Sequence, residues 1–292
     1  MYKLTFSLIM LFGFIGMSGQ DVYQTFKDRR IINAQSVEML KKYELDVRIT
    51  HRFGDLVGDN GGFQTFFGLE SIADVLTGLE YGVFDDLNIG LYRSKGAGSY
   101  PDGKSGLRQL LTGFAKYRVL QQLEENGSPI TLTLIGTASI STSPKSENPS
   151  NINYFPNTSD RMAFNIQALV AKKFTDGFSL QLNGAYTHRN IVDFDDVNGI
   201  ISLGVATRVQ VTKVFGLIVD VTLPFAENRT TADGYYPSVG AGLEIDTGGH
   251  IFQLNLTNSR GIVETDYIPY STANWGDSEF RLGFTISRVF KI

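Results

Sequence analysis

Residues 280–290 read FRLGFTISRVF, and the chemistry of their side chains alternates from one residue to the next. In an extended chain, one side carries Phe280, Leu282, Phe284, Ile286 and Phe290, and the other carries Arg281, Gly283, Thr285 and Ser287. One face of this segment is therefore apolar and the other is polar. A strand of about 10 residues is long enough to cross a bilayer when it is tilted.

The same alternation begins at Glu44 and recurs along nearly the whole chain. In the first such segment, Leu45 and Val47 share one face, while Asp46 and Arg48 share the other. A soluble core would not accept these charges, whereas the wet interior of a barrel would accept them. We count about 12 segments of this kind, the even number that is typical of membrane barrels.

The connections between these segments alternate strictly between long and short. The segment after Phe53 is long and rich in glycine, whereas residues 84–86 (FDD) and 175–177 (TDG) are tight turns. Outer-membrane barrels combine short periplasmic turns with longer extracellular loops in this way. We therefore predict an all-β fold, an antiparallel transmembrane β-barrel of about 12 strands over residues 44–292.

The first 43 residues do not share this pattern. Residues 1–19 carry one Lys, an apolar run and then small residues, the layout of a cleaved signal peptide. Residues 20–43 follow neither the strand period nor the helix period, although Ser36 could cap two helical turns that end at Lys42. We interpret residues 20–43 as a periplasmic lead-in or a partial plug, and periodicity does not choose between them.

Aromatic residues gather at the ends of the predicted strands, as expected for the two interfaces of a membrane. The short-turn end has Phe84, Phe174, Phe178, Phe215 and Phe290, and the long-loop end has Tyr186, Phe225, Tyr235 and Tyr236. The terminal strand, with Phe284 and Phe290, also resembles the carboxy-terminal assembly signal of Gram-negative outer-membrane barrels. That resemblance implies the cell outer membrane as the location, and outer-membrane lipid and the barrel-assembly machinery as partners.

A second resemblance extends through the chain from residue 20. Residues 26–38 (FKDRRIINAQSVE), 44–54 (ELDVRITHRFG) and 78–82 (GLEYG) are similar to a family of Gram-negative β-barrel proteins known only as a domain of unknown function. The likeness is most specific at residues 51–54 (HRFG). It implies the fold and the location, but it brings no reaction, ligand or functional residue.

The sequence offers little support for catalysis, metal binding or nucleic-acid binding. The formal net charge of −4 is unlike the basic footprint of a nucleic-acid binder, and there is no cysteine. His51, His188 and His250 lie on three separate strands, all on the outward face, so they do not converge on a metal. The Tyr186–Asn190 segment lacks a serine near its histidine. We predict neither an enzyme nor a cofactor.

The inward-facing charges are the most informative feature for function. We predict that the pore is lined by Arg48, Arg52, Asp74, Glu80, Lys116, Arg118, Arg208, Asp220 and Arg281. Fixed charges of this kind set the selectivity of a narrow channel for small hydrophilic solutes, anions among them. The same charges would equally form an ionic network that blocks the lumen. The alternative is therefore a closed structural or accessory barrel of an envelope complex, with an unknown envelope partner and no transport activity.

Overall fold

Twelve antiparallel strands form a closed barrel in a computed structural model, which describes residues 24–96, 109–123 and 127–292. The predicted signal peptide, residues 1–19, lies outside these residues, as does much of the loop that follows residue 96. Within the described part, no helix is long and apolar enough to span a membrane.

A short hairpin precedes the barrel and consists of β1 (Arg30–Ile31) and β2 (Ala34–Gln35). The barrel strands are β3 (Glu44–Phe53), β4 (Ile72–Phe84), β5 (Leu87–Gly96), β6 (Leu110–Leu120), β7 (Thr131–Ser141), β8 (Met162–Thr175), β9 (Phe178–Arg189), β10 (Gly199–Gln210), β11 (Phe215–Phe225), β12 (Ser238–Asp246), β13 (Ile251–Thr257) and β14 (Arg281–Lys291). A helix, α1 (Glu264–Tyr267), lies in the last long loop.

Each barrel strand pairs with its neighbours in sequence, and β14 closes the barrel on β3. The closing register runs from Gly283 opposite Arg52 to Lys291 opposite Glu44. Because the side-chain period of a strand is two residues, this register fixes which side chains face inward. On β14, Arg281, Thr285 and Ser287 are buried inside, as the alternation predicts.

The connections alternate in length around the barrel. The long loops lie at one end of the barrel and comprise residues 54–71, 142–161, 190–198, 226–237 and 258–280. The short turns lie at the other end and comprise residues 85–86, 176–177, 211–214 and 247–250. The connection between β6 and β7, residues 121–130, is longer than the other turns and carries a bridge between Gln122 and Ser128. The chain enters and leaves the barrel at the short-turn end, where Ile292 N donates to Tyr43 O at 2.8 Å.

The outer surface is apolar in the middle and aromatic at its rims. Outward side chains such as Leu182, Leu203 and Leu217 are about half exposed, the arrangement that suits contact with lipid. Phe84 and Phe225 lie at opposite rims and are similarly exposed. Tyr235, which we predicted as a rim aromatic, is instead buried in the long-loop end.

The lumen is filled by two segments that are not part of the wall. We call residues 24–43 the plug; they enter from the short-turn end and include the β1–β2 hairpin. We call residues 258–280 the inserted loop; it enters from the long-loop end and carries α1, all of whose residues are buried. The predicted helical turns from Ser36 to Lys42 are absent, and the Ser36 hydroxyl bonds to Asp28 O at 2.6 Å within the plug.

Candidate functional site

Eight of the nine predicted pore-lining residues face the lumen. The inward side chains are Arg48, Arg52, Asp74, Glu80, Lys116, Arg208, Asp220 and Arg281, and each is at most 6% exposed. A water-filled pore would leave such side chains open to solvent, so in this conformation the lumen is closed along the part they line.

Arg118 is the exception, because β6 reaches the rim before this position. Its guanidinium lies at the short-turn end and contacts the Asp85–Asp86 turn, with Nε donating to Asp86 Oδ1 at 2.8 Å. Alternation assigned its direction correctly but not its depth along the strand. Arg118 is therefore a rim residue in this conformation, outside the closed part of the lumen.

The plug rises from the short-turn end to the middle of the lumen and returns. Near its entry, Thr25 O accepts from Ser179 Oγ at 2.6 Å. Its tip is the turn at Ile32 and Asn33, between β1 and β2. On the way back, Val37 N donates to Gln181 Oε1 at 2.9 Å, and the chain leaves at Tyr43 beside Gly82.

Asp220 on β11 holds the tip of the plug. Its carboxylate accepts from Asn33 N at 2.6 Å, Asn33 Nδ2 at 2.7 Å and Ala34 N at 2.9 Å. Ile32 lies in the left-handed region with a φ of 49°, which is unusual for a β-branched residue and costs on the order of 1–2 kcal/mol. The hydrogen bonds to Asp220 offset this strain, so the wall determines the shape of the tip.

Asp28 and Arg29 of the plug make a group of ionic contacts with the wall of the lumen. The Asp28 carboxylate accepts from both terminal nitrogens of Arg48, from Gln253 Nε2 at 3.0 Å and from Ser287 Oγ at 3.3 Å. Arg29 Nη2 reaches Asp46 Oδ1 at 2.9 Å. All of these side chains are buried, so each charge is compensated by the other segment.

Lys116 and Arg208 illustrate the rest of the ionic lining. Lys116 Nζ donates to Glu38 O of the plug at 3.0 Å and lies 3.9 Å from Glu80 Oε1. Arg208 Nε donates to Glu244 Oε1 at 2.6 Å, which is a pair made within the wall. The lining therefore contains both signs of charge, and only some of its pairs involve the plug.

The inserted loop meets the plug inside the barrel. Arg30 of the plug donates to Glu264 Oε1 on α1 at 2.9 Å and to Ile262 O at 2.8 Å. Arg52 of the wall donates to Ser259 O of the loop at 3.2 Å and to Asn33 Oδ1 of the plug at 2.6 Å. The plug, the inserted loop and the barrel wall, which together fill and enclose the lumen, are thus joined by one hydrogen-bond network. We refer to the plug and the inserted loop together as the two fillers.

Above the inserted loop, two long loops are tied together by one carboxylate. We call residues 190–198 and 226–237 the lid. Asp196 Oδ2 accepts from Arg189 at 3.0 Å and from Arg229 at 2.7 Å, and the two guanidinium groups lie over the rings of Tyr270 and Tyr235. Burial raises the pKa of Asp196, but hydrogen bonds from Arg229 and Arg189 outweigh it, so the net pKa is below the ordinary value. Burial raises the pKa of Tyr270 to about 12.

The histidines lie apart on the outer wall and rims. The His51 ring stacks on Phe284 with 5.5 Å between centroids, and His250 Nε2 is 3.3 Å from Arg288 Nη1. His188 lies 6.4 Å from the Tyr186 ring, measured between centroids. Among the described residues, no group of three or more His, Asp or Glu could hold a metal ion.

Comparison with known proteins places the chain among membrane barrels. Residues 26–290 match the family described as "Membrane bound beta barrel domain (DUF5777)". The chain belongs to this family. It lies in the outer membrane, so the short-turn end faces the periplasm and the long loops face outward. None of the curated proteins compared with this chain matches it.

Two solved outer-membrane structures align with most of the chain. The NanC porin aligns with a TM-score of 0.50 and 10% identity over 85% of this chain and 100% of that chain. The COG4313 outer membrane channel from Pseudomonas putida F1 aligns with a TM-score of 0.48 and 15% identity over 87% of this chain and 98% of that chain. At such identities the likeness to NanC concerns the fold alone.

Sequence reasoning missed the residues that fill the lumen. Asp28, Arg29, Arg30 and Asn33 belong to a segment without periodicity, and Glu264 lies in a long loop. The available signal was composition, because residues 27–30 read KDRR, a dense group of charges in the segment that precedes the first barrel strand. Partners for these charges could be identified only after the barrel had closed.

Proposed function

We propose that this outer-membrane barrel is a channel for small hydrophilic solutes, anions among them, and that the plug closes it in the present conformation. The main support for the proposal is that the barrel encloses a lumen that is filled by a segment outside the barrel sheet, the plug. Gly240 faces the lumen, and a Cβ added there would lie 2.7 Å from Ile32 Cγ2 of the plug. A barrel whose lumen is permanently filled could use a larger wall side chain at position 240 instead of a glycine that makes room for the plug.

The polar part of the contact between plug and wall is of a kind that water can replace. The plug is attached through carboxylates, guanidinium groups, amides and hydroxyls, as at Asp220, Arg48 and Ser179. Such groups exchange protein partners for water at a net cost of about 1–3 kcal/mol per hydrogen bond. The plug also carries apolar side chains that are buried in one cluster with wall residues such as Leu76 and Ile135, namely Phe26, Ile31, Ile32 and Val37. Withdrawal therefore exposes apolar surface as well, which favours the closed state and makes openings rare. Both ends of the plug lie at the periplasmic side, so it can withdraw there without threading the barrel.

The opened lumen would be lined by both signs of charge. Arg48, Arg52 and Lys116 each lose a plug contact when the plug leaves, and so do Asp46 and Asp220. Exposed guanidinium and ammonium groups favour the entry of anions, whereas the carboxylates prevent strong exclusion of cations. We therefore expect weak rather than strict anion preference.

The second candidate is a closed barrel with a structural or accessory role in an envelope complex. The near-complete burial of the lumen lining favours it. The two candidates differ in whether the lumen ever opens, which requires the plug to leave.

The test is single-channel conductance of the refolded chain in a planar bilayer. We expect rare openings for the natural protein and frequent openings for Asp28→Ser/Arg29→Ser, which removes two buried plug charges. The matched control is Lys27→Ser, whose partner Asp246 is near the periplasmic rim and partly exposed. Silence in every variant that forms a heat-modifiable barrel would overturn the channel and leave the structural candidate.

A disulfide lock identifies the plug as the gate. The natural chain has no cysteine, and replacing Ile32 removes the nearest atom that a Cβ at position 240 would meet, Ile32 Cγ2 at 2.7 Å. The Asp220 and Asn33 side chains, at 2.9 and 3.0 Å, must shift slightly to accept it. In the Asp28→Ser/Arg29→Ser background we expect Ile32→Cys/Gly240→Cys to be silent when oxidised and to conduct again after reduction. Each single-cysteine variant should conduct under both conditions. Conductance through the oxidised pair would mean that another segment is the gate.

Ion selectivity tests the anion preference. In a salt gradient the reversal potential should favour the anion, and Arg52→Gln should shift it toward the cation. Arg118→Gln is the control because Arg118 lies at the rim, bonded to the Asp85–Asp86 turn. An equal shift in both variants would show that the net charge of the protein, rather than the lumen lining, sets the preference.

A further inference from the structure

We infer that Arg48, Asp46, Gln253 and Ser287 form a binding site on the lumen wall for a small zwitterion, and that Asp28 and Arg29 of the plug occupy this site in the closed barrel. The inference rests on the proposed function, because a solute reaches the site only when the plug yields. It adds to that function a class of solute, a molecule that carries a carboxylate and a cationic group.

The carboxylate half of the site is built from three adjacent strands. Arg48 on β3 faces Ser287 on β14, and Gln253 lies on β13 beside them. All three donate to the Asp28 carboxylate, Arg48 through both terminal nitrogens, Gln253 at 3.0 Å and Ser287 at 3.3 Å. A two-pronged guanidinium with added neutral donors is the arrangement that recognises a planar carboxylate.

The cation half of the site is Asp46, two residues before Arg48 on the same face of β3. Its carboxylate accepts from Arg29 Nη2 at 2.9 Å and also lies 3.2 Å from Arg48 Nη2. In the plug, Asp28 Oδ1 and Arg29 Nη2 are 3.5 Å apart, so the two occupying charges are adjacent. A solute must place its own charges at a similar separation to satisfy both halves.

The charge balance of the wall favours a zwitterion over a simple anion. Arg48 and Asp46 carry opposite charges, so the empty site is formally neutral. A lone carboxylate would satisfy Arg48 but leave Asp46 facing a negative neighbour, and a lone cation would leave Arg48 in the converse position. A solute with both charges leaves neither wall charge uncompensated, as the plug does now.

The test measures binding to a full-length variant whose plug no longer occupies the site. Asp28→Gly/Arg29→Gly removes both occupying side chains while retaining the rest of the plug. The probe is 4-guanidinobutyrate, which carries a carboxylate and a guanidinium, and its matched controls are butyrate and propylguanidinium, which carry one group each. By titration calorimetry in micelles we expect the probe to bind about tenfold more tightly than either control.

Wall variants in the same background locate the binding. Gln253→Leu and Ser287→Ala should each weaken binding of 4-guanidinobutyrate, together by about tenfold. Thr285→Val is the control, because Thr285 is buried on the same face of β14 but bonds to Thr50. Equal binding of the three small molecules, or no effect of the wall variants, would overturn the site.

Binding and conduction can fail separately. Probe binding by a barrel that is silent in the bilayer would remove the channel and retain the site. Openings without saturable binding of 4-guanidinobutyrate would retain the channel and overturn the zwitterion site. Heat-modifiable migration of each variant confirms that the barrel has formed before either result is interpreted.

Discussion

At the residue scale, Asp196 determines whether the lid stays assembled. Its side chain is 9% exposed and forms ion pairs with both Arg189 and Arg229. Asp196→Asn should lower the free energy of local opening of residues 190–198 and 226–237 by about 2 kcal/mol, since charge-assisted hydrogen bonds are lost. Hydrogen exchange read by mass spectrometry measures this change.

Acid should reproduce the effect of that substitution. Because the folded pKa of Asp196 is below its ordinary value of 3.8, its contribution is present above 3.8 and is lost as the pH falls through the folded pKa. Asp195→Asn is the matched control, since Asp195 is exposed and contributes only its backbone oxygen to Asn228. Unchanged exchange in Asp196→Asn would show that other contacts hold the lid.

A second residue-scale prediction concerns the lipid face. Val219 lies near the middle of β11 and points outward, whereas Phe225 lies at the external end of the same strand. Val219→Arg should destabilise the barrel by about 2–4 kcal/mol, and Phe225→Arg by at most about 1 kcal/mol. Equilibrium unfolding in lipid vesicles measures both values. Equal costs would contradict the placement of Val219 near the bilayer midplane.

The direction of most wall residues could be predicted from sequence, because a strand in a membrane barrel has one chemical pattern on each face. Arg48, Asp74 and Asp220 face the lumen as alternation indicates. The alternation of polar and apolar residues predicts which way a side chain points but not how far along the barrel axis it lies. Arg118 was therefore assigned to the pore although it lies at the rim. Partners were also beyond prediction, since the pairing of Arg48 with Asp28 depends on a segment that has no period.

At the element scale, the plug shows why the segment before the barrel could not be predicted. A helix from Ser36 was plausible from local preference, but the plug takes its hydrogen bonds from the wall instead. Ala34 N donates to Asp220 and Val37 N donates to Gln181, so the backbone donors are already satisfied. Tertiary contacts therefore override the local preference.

The space that Gly240 leaves for the tip of the plug allows a test of whether close packing against the wall keeps the plug in the lumen. Gly240→Leu should push the tip out of the lumen, because the new side chain would overlap Ile32 and the Asp220 carboxylate. We expect faster hydrogen exchange across residues 28–37 and cleavage of the plug by protease from the periplasmic side.

Gly184→Leu is the matched control for this change. Gly184 is also a wall glycine, but it lies among outward-facing positions on β9, and a Cβ added there meets nothing within 4 Å. The plug should remain protected in this variant. Protection of the plug in both variants would mean that the lumen has room for a larger side chain at position 240.

At the scale of the whole molecule, the barrel is closed from both sides by segments that contact each other. The plug reaches the middle from the periplasm, and the inserted loop reaches it from outside. Their ionic contact is the pair of Arg30 with Glu264, at 2.9 Å and with both side chains at most 2% exposed. Loosening either filler would leave a buried charge of the other without its counterion, so the two should open together.

A double-mutant cycle across this pair tests that coupling. Glu264→Gln and Arg30→Met should each lower the free energy of unfolding by about 3–5 kcal/mol, because each leaves one buried charge alone. The double variant should cost less than the two combined, with a coupling of about 1–3 kcal/mol.

Hydrogen exchange then shows whether the effect crosses from one filler to the other. In Glu264→Gln, exchange should rise in plug residues 28–34 as well as in the inserted loop. Thr265→Val is the control, because Thr265 on the same helix bonds to Ser139 of the wall rather than to the plug. If Glu264→Gln loosens only the inserted loop, the two fillers act independently, and withdrawal of the plug alone would not open the barrel to the outside.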